Sequence, residues 1–350
     1  MVKTKNFCLA FGAILHLVCL ILTIGMIINW SLQYTLDEDL SRIQYKHYHD
    51  TTEDVYPEIS LCFTPKINPF KEKSMAEFDP PLTTSSILQF LKGKEYDDRL
   101  LSLNYDDLRS FHLEDYVKKY WVRWQNGTTK SYVKDTINEN LFSISFTGLW
   151  RGKFYTCYGV QVPMKILQKE SNLYIEGFAI HISNSIFPKS VRPIFTDFVT
   201  FLHYPNQLLF SLPSVKYNWK ATTNTSTYNM KYVINGMELL KRRQKDTDPC
   251  NENWKQFDDS VVEKNIEKVG CRAIYHKTVA DWPLCRNKED IQKANFPFST
   301  DEIKKFDAPC KQVEKIRYTY EEMDYPDQEG TFWITMLLLD DRYKEIVQTR

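Results

Sequence analysis

Residues 7–30, FCLAFGAILHLVCLILTIGMIINW, constrain this chain more than any other stretch, because they run 24 residues without a formal charge. The only polar members are His16, Thr23 and Asn29. A helix of that length, at about 1.5 Å per residue, covers a hydrocarbon core of about 30 Å. A buried core helix would be shorter and polar along one face. A cleaved secretory signal would have an apolar region of about 7–15 residues ending in small residues, and no such pattern closes this stretch. The reading is a retained transmembrane helix. Lys3 and Lys5 precede it, and Asp37, Glu38 and Asp39 follow. The Lys/Arg bias places a short tail, residues 1–6, in the cytosol. The predicted localisation is therefore the plasma membrane, single-pass, with the N-terminus cytosolic and the ectodomain extracellular. Cysteines in such an oxidising compartment read first as disulfides.

The chain has eight cysteines. Cys8 and Cys19 lie in the apolar stretch and are expected to be free. Cys62, Cys157, Cys250, Cys271, Cys285 and Cys310 lie outside it, and six cysteines allow 15 connectivities. No C-x-x-C pair occurs, which favours disulfides over zinc. The sequons Asn126-Gly-Thr128 and Asn224-Thr-Ser226 make Asn126 and Asn224 candidate glycosylation sites. With 45 basic and 45 acidic residues, no nucleic-acid partner is expected.

The motifs of catalysis are missing. With only 11 glycines, glycine-rich phosphate loops are not expected, and no P-loop, H-E-x-x-H, G-x-S-x-G or EF-hand pattern occurs. The chain is read as a non-enzyme with no catalytic, cofactor-binding or metal residue. The enzyme rival is a type II glycosyltransferase holding a cation through D-x-D, for which Asp37-Glu-Asp39 and Asp246-Thr-Asp248 are the matches. His47-Tyr-His49-Asp50 contains a pair of metal-ligand types, but with no further ligand nearby in sequence it reads as a solvated linker. The acidic run from Glu321 to Glu329 reads as an exposed loop.

Along the chain, a short strand is expected over 57–63, entered through Pro57. Residues 84–120 read as helical, with Gly93 ending a first helix and Leu108, Phe111, Tyr116, Val117 and Tyr120 at roughly helical spacing. Strands are expected over 142–146, 174–182, 198–202 and 228–240, where β-branched and aromatic residues gather. Helical signals return at Asn253 with a capping box to Gln256 and stop at Gly270, and again over 287–305. Strands close the chain at 313–320 and 332–339.

Several segments resemble the degenerin/epithelial sodium channel/acid-sensing ion channel family. Tyr56-Pro-Glu-Ile-Ser-Leu-Cys62 looks like the family's F-P-x-[VI]-T-[IF]-C strand after its first membrane helix. Trp150-Arg-Gly-Lys-Phe-Tyr-Thr-Cys157 resembles its G-K-C-Y-T-F strand, with Cys157 three positions late. Met237-Glu-Leu-Leu-Lys-Arg-Arg243, Pro249-Cys250 and Val269-Gly-Cys-Arg272 match the entry to its cysteine-rich thumb. Trp282-Pro-Leu-Cys285 and Ala308-Pro-Cys310 match later thumb cysteines. The resemblance implies an α+β membrane protein: one N-terminal transmembrane helix (7–30) and a disulfide-stabilised β-rich ectodomain, a palm sheet with helical finger and thumb. Its parts would be a juxtamembrane segment and first palm strand (31–83), finger and knuckle helices (84–140), palm and inner sheet (141–245), thumb (246–310) and final palm strands (311–350). It further implies the disulfides Cys271–Cys285, Cys250–Cys310 and Cys62–Cys157. The implied function is a subunit of an amiloride-sensitive-type, extracellularly gated sodium channel, with sodium ions, membrane lipid and homo- or hetero-trimeric channel subunits as partners. The family's second membrane helix carries the pore. This chain stops at Arg350, so it is expected not to conduct and to hold no selectivity filter. The alternative is a single-pass type II ectodomain that binds or modulates partners.

Overall fold

The computed structural model describes residues 16–31, 40–50, 55–109, 112–133, 142–150, 152–160, 175–183, 185, 198–203, 215–218, 227–242, 250, 254–276, 281–295, 309–325 and 331–349. The first described element, α1 (16–31), keeps its apolar side chains exposed. It is about 24 Å long, and no helix among the described residues is long and apolar enough to cross a membrane. The expected transmembrane helix over 7–30 is thereby corrected, and with it the single-pass plasma-membrane placement. The uncharged run is long enough as sequence, but the described helix covers only its second part, and residues 7–15 lie outside the described residues.

The rest is dominated by strands, arranged in two sheets. The larger contains β1 (Leu40–His47), β3 (Val117–Trp124), β4 (Thr129–Val133), β7 (Ile175–Ser183), β10 (Thr227–Arg242), β11 (Lys311–Tyr325), β12 (Thr331–Leu338) and β13 (Arg342–Thr349). Its order is β1-β13-β10-β12-β7-β3-β4, with β11 on the other edge of β10. The smaller sheet runs β5-β6-β2-β8-β9, where β2 is Glu58–Phe63, β5 Phe142–Trp150, β6 Lys153–Val160, β8 Phe198–His203 and β9 Val215–Asn218. Ile59, Leu61, Phe63, Tyr158 and Phe198 of the smaller sheet share one core with Tyr120, Phe178, Ile180, Tyr232, Ile334 and Met336 of the larger. A hydrogen bond between Thr200 Oγ1 and the Tyr232 hydroxyl crosses between the sheets.

The strand β10 is unusual in its pairing. Its first half, Tyr228 to Ile234, runs parallel to β12, and its second, Glu238 to Arg242, runs parallel to β13 on the same edge. Its other edge pairs antiparallel with β11 from end to end. Gly177 on β7 sits where a Cβ would collide with the Met336 carbonyl oxygen of β12. The absence of a side chain is what lets the two strands approach there.

Helical character over 84–120 is shorter than the sequence suggests. The helix α3 (Thr84–Leu91) is followed by three short 3-10 turns, and residues from Val117 on are strand β3. Val117 and Tyr120 stand three apart because a bulge lies between Val117 and Lys119. Beyond it, Tyr120, Val122 and Trp124 alternate inward as a strand requires. A bulge can therefore imitate one turn of helical spacing.

A helical insert leaves the larger sheet between β10 and β11. It contains α4 (Trp254–Val269) and α5 (Lys288–Asn295). Gly270, at φ +83°, ends α4. A short helix α2 (Glu72–Ala76) precedes α3. Residues of α3 and its following turns, including Ile87, Phe90, Leu91 and Leu100, form a second core with Ile274, Tyr275, Ile291 and Ala294 of the insert and Phe154 of β6.

Candidate functional site

The six cysteines form three disulfides, Cys62–Cys157, Cys250–Cys310 and Cys271–Cys285. Two of them shape the insert. Cys250–Cys310 closes its root, where the Arg242 amide also donates to the Cys310 carbonyl oxygen at 2.7 Å. Inside that closure, Cys271–Cys285 follows the end of α4. The Arg272 amide donates to Pro283 O and the Cys285 amide to Arg272 O, at 2.9 and 3.0 Å, so the backbone itself brings the second pair together. Trp282 Nε1 donates to Glu263 of α4 at 2.7 Å, and Asn265 Nδ2 to the Ala294 carbonyl oxygen of α5 at 3.1 Å. These bonds tie α4 to α5 and to the Cys285 segment, and Cys250–Cys310 crosslinks the two ends of the insert beside the β10–β11 ribbon.

The insert rests on the end of α3. Gly93, at φ +65°, closes that helix: its amide donates to Phe90 O and the Lys94 amide to Gln89 O, the paired bonds of a Schellman motif. From α5, Gln292 Nε2 donates to Gly93 O at 2.9 Å, and Asn295 Nδ2 donates to Leu91 O. The carbonyls left over at the end of one helix are satisfied by side chains of another.

Cys62–Cys157 is different in kind. Both residues are fully buried and directly opposed on antiparallel β2 and β6. Their Cα atoms are 3.9 Å apart, closer than the usual range of about 4.4–6.8 Å. The three-position offset of Cys157 does not turn it away from Cys62. The bulge lies in β5, between Ile144 and Phe146, and leaves β6 regular against β2.

Sequence reasoning missed one cluster. His47 ends β1, His49 follows in a short 3-10 turn, and Asp341 lies at the corner between β12 and β13. Antiparallel pairing of β1 with β13, His47 opposite Arg342, brings this carboxylate to the two imidazoles. His47 Nδ1 stands 2.6 Å from Asp341 Oδ2, and His49 Nδ1 stands 3.7 Å from the same oxygen. The far nitrogen of His49, Nε2, faces Asp50 Oδ1 at 3.2 Å. The Tyr48 amide donates to the Asp341 carbonyl oxygen at 2.8 Å, which fixes the two segments to each other. The separation of 294 positions between His47 and Asp341 explains why a reading of the local sequence found no third ligand.

A second titratable group sits in the larger sheet. His181 of β7 is 5 % exposed and lies against Trp333 of β12. Burial, with Lys119 and Lys118 nearby, pushes its imidazole down to about 4. Its Nε2 finds no hydrogen-bond partner among the described residues. The folded state therefore resists a proton that the unfolded chain accepts at an ordinary pKa of about 6.5. This contribution to stability is complete above pH 6.5 and is lost as pH falls toward 4. His276, lowered to about 4 by burial and by Arg272, acts in the same direction. Replacing His181 with glutamine should make the fall of melting temperature between pH 6.5 and 4 shallower than in the native chain. Parallel curves in a thermal-melt series across that range would contradict this.

Asn126 lies in the exposed turn between β3 and β4, where its Oδ1 accepts hydrogen bonds from the Thr128 amide and hydroxyl at 2.9 and 2.6 Å. Asn224, Cys8, Asp37-Glu-Asp39 and Asp246-Thr-Asp248 lie outside the described residues. Cys19 is free and exposed. In the acidic run, Glu321 pairs across the ribbon with Lys231 at 2.7 Å, and residues 326–329 lie outside the described residues.

No protein-family model matches the chain, and no curated protein matches it.

Proposed function

We propose that this chain is a non-enzymatic subunit of a sodium channel of the degenerin/epithelial sodium channel/acid-sensing type, acting within a trimer of channel subunits. The observation that carries this reading is the insert between β10 and β11, with its nested pairs Cys250–Cys310 and Cys271–Cys285. That is the arrangement the resemblance implies for a thumb rooted on a palm sheet. The contact of α5 with the end of α3 further supports it, as a thumb resting on a finger. So does the sheet itself, in which β1 and β13 lie side by side next to the strand that bears the thumb. In this reading the thumb and finger receive the stimulus, and the palm carries displacement toward the paired ends of β1 and β13.

The test is co-expression of this chain with full-length channel subunits in oocytes. The expected result is co-purification in a trimer and a changed amiloride-sensitive sodium current. Failure to associate, together with an unchanged current, would overturn the proposal. In the same preparation, Asn126 should carry a glycan that an endoglycosidase removes and that N126Q lacks.

A further inference from the structure

We propose that His47, His49 and Asp341 form a binding site for a divalent ion of the zinc class. The three residues offer two imidazole nitrogens and one carboxylate oxygen, and their ligand atoms lie within 4.8 Å of one another. Zinc takes such donors at about 2.0–2.1 Å in a tetrahedral arrangement, which sets ligand atoms about 3.3 Å apart. The observed spacings of 2.6 and 3.7 Å to Asp341 Oδ2 straddle that value. Small rotations about the side-chain bonds of His47 and His49 would bring both nitrogens to it. The fourth position would go to water.

The donor set selects the ion. Imidazole suits zinc, nickel and copper, whereas calcium and magnesium require shells of oxygen. The surroundings are those of a metal centre as well. A ligating histidine ordinarily gives its other nitrogen to a carboxylate, which fixes the ring and raises its basicity. Asp50 stands in that position toward His49 Nε2, leaving Nδ1 directed at Asp341. The backbone bond from Tyr48 to Asp341 holds the frame. The neighbouring cation is engaged elsewhere: the Arg342 guanidinium and amide both donate to Asp340, at 3.0 to 3.2 Å. Part of each histidine side chain remains exposed, so an ion can enter from solvent. Binding would tie the end of β1 to the corner before β13, independently of whether the channel reading holds.

The experiment uses the full chain with its disulfides formed, stripped of metal by a chelator and titrated calorimetrically with zinc chloride. The expected result is saturation at about one zinc per chain, with no heat from calcium or magnesium. The double variant H47A/H49A should abolish binding. The variant D50N should weaken it by about 10–100-fold. Cobalt(II) added to the native chain should give the absorption of a tetrahedral site with nitrogen donors, a readout that survives even if H47A/H49A fails to fold. Absence of zinc binding to the native chain, unchanged binding in H47A/H49A, or equal binding of calcium would each overturn the proposal.

Discussion

Replacing Cys62 and Cys157 together by alanine is expected to remove about 4–5 kcal/mol of stability, the largest effect of any disulfide in this protein. Loop closure sets the scale. The bond joins residues 95 positions apart, and a closed loop of about 100 residues corresponds to about 4.7 kcal/mol of lost unfolded-state freedom. Both side chains are also fully buried on the smaller sheet, where β2 runs between β6 and β8, so two sulfur atoms leave the interior. A domain is typically stable by about 5–15 kcal/mol, so the variant should sit near its unfolding threshold at ambient temperature. The Cys271–Cys285 pair closes 14 positions, worth about 3 kcal/mol, and its loss should loosen the insert before the sheets. Urea unfolding of each double variant, followed by tryptophan fluorescence under non-reducing conditions, measures both. A loss below about 1 kcal/mol for the Cys62/Cys157 variant would show that the sheet pairing is set without the bond.

The second large effect is expected at Gly93. A Cβ there would lie 2.5 Å from Gln292 Cγ, 2.8 Å from the Lys288 carbonyl oxygen and 3.0 Å from the Gln292 amide nitrogen. The residue also stands at φ +65°, where a side chain costs about 1–2 kcal/mol. Overpacking adds about 1–3 kcal/mol. Gly93→Ala should therefore cost about 2–5 kcal/mol and push α5 off the end of α3. Hydrogen exchange would report it as lost protection in α3 and α5 with the larger sheet unchanged. Adding Gln292→Ala relieves the contact with the side chain but not those with the Lys288 oxygen and Gln292 nitrogen, so rescue should be partial. Full rescue would mean that the backbone of α5 can yield.

What could be read from the sequence depended on the range of the interaction. The strands β2, β7, β8, β10 and β12 were legible because β-branched and aromatic residues mark them locally. Gly93 and Gly270 were legible as helix ends because a left-handed residue is a local demand. The transition at Val117 was not, since a bulge depends on the partner strand β7. All six residues of β2 are buried, although its sequence alternates: both faces of the strand are covered, which alternation in the sequence does not reveal. The pairing of cysteines was implied by a resemblance and not by the residues alone. The histidine–carboxylate cluster was invisible to any local reading, because only the pairing of β1 with β13 delivers Asp341. The apolar run at residues 7–30 misled in the opposite way: as sequence it suffices for a membrane-spanning helix, whereas no helix among the described residues is long and apolar enough to cross a membrane.

The shared edge of β10 sets how this protein bears load. Five consecutive positions, Glu238 to Arg242, run parallel to Lys344 to Gln348, and the root of the insert begins at the last of them. A pull on that root along the strand axis acts on these backbone bonds in shear, so they must yield together. A sideways pull opens them one after another, as a zipper does, at much lower force. The joint is stiff lengthwise and soft across, and β1, one strand further out, moves with β13 in the first case and is left behind in the second.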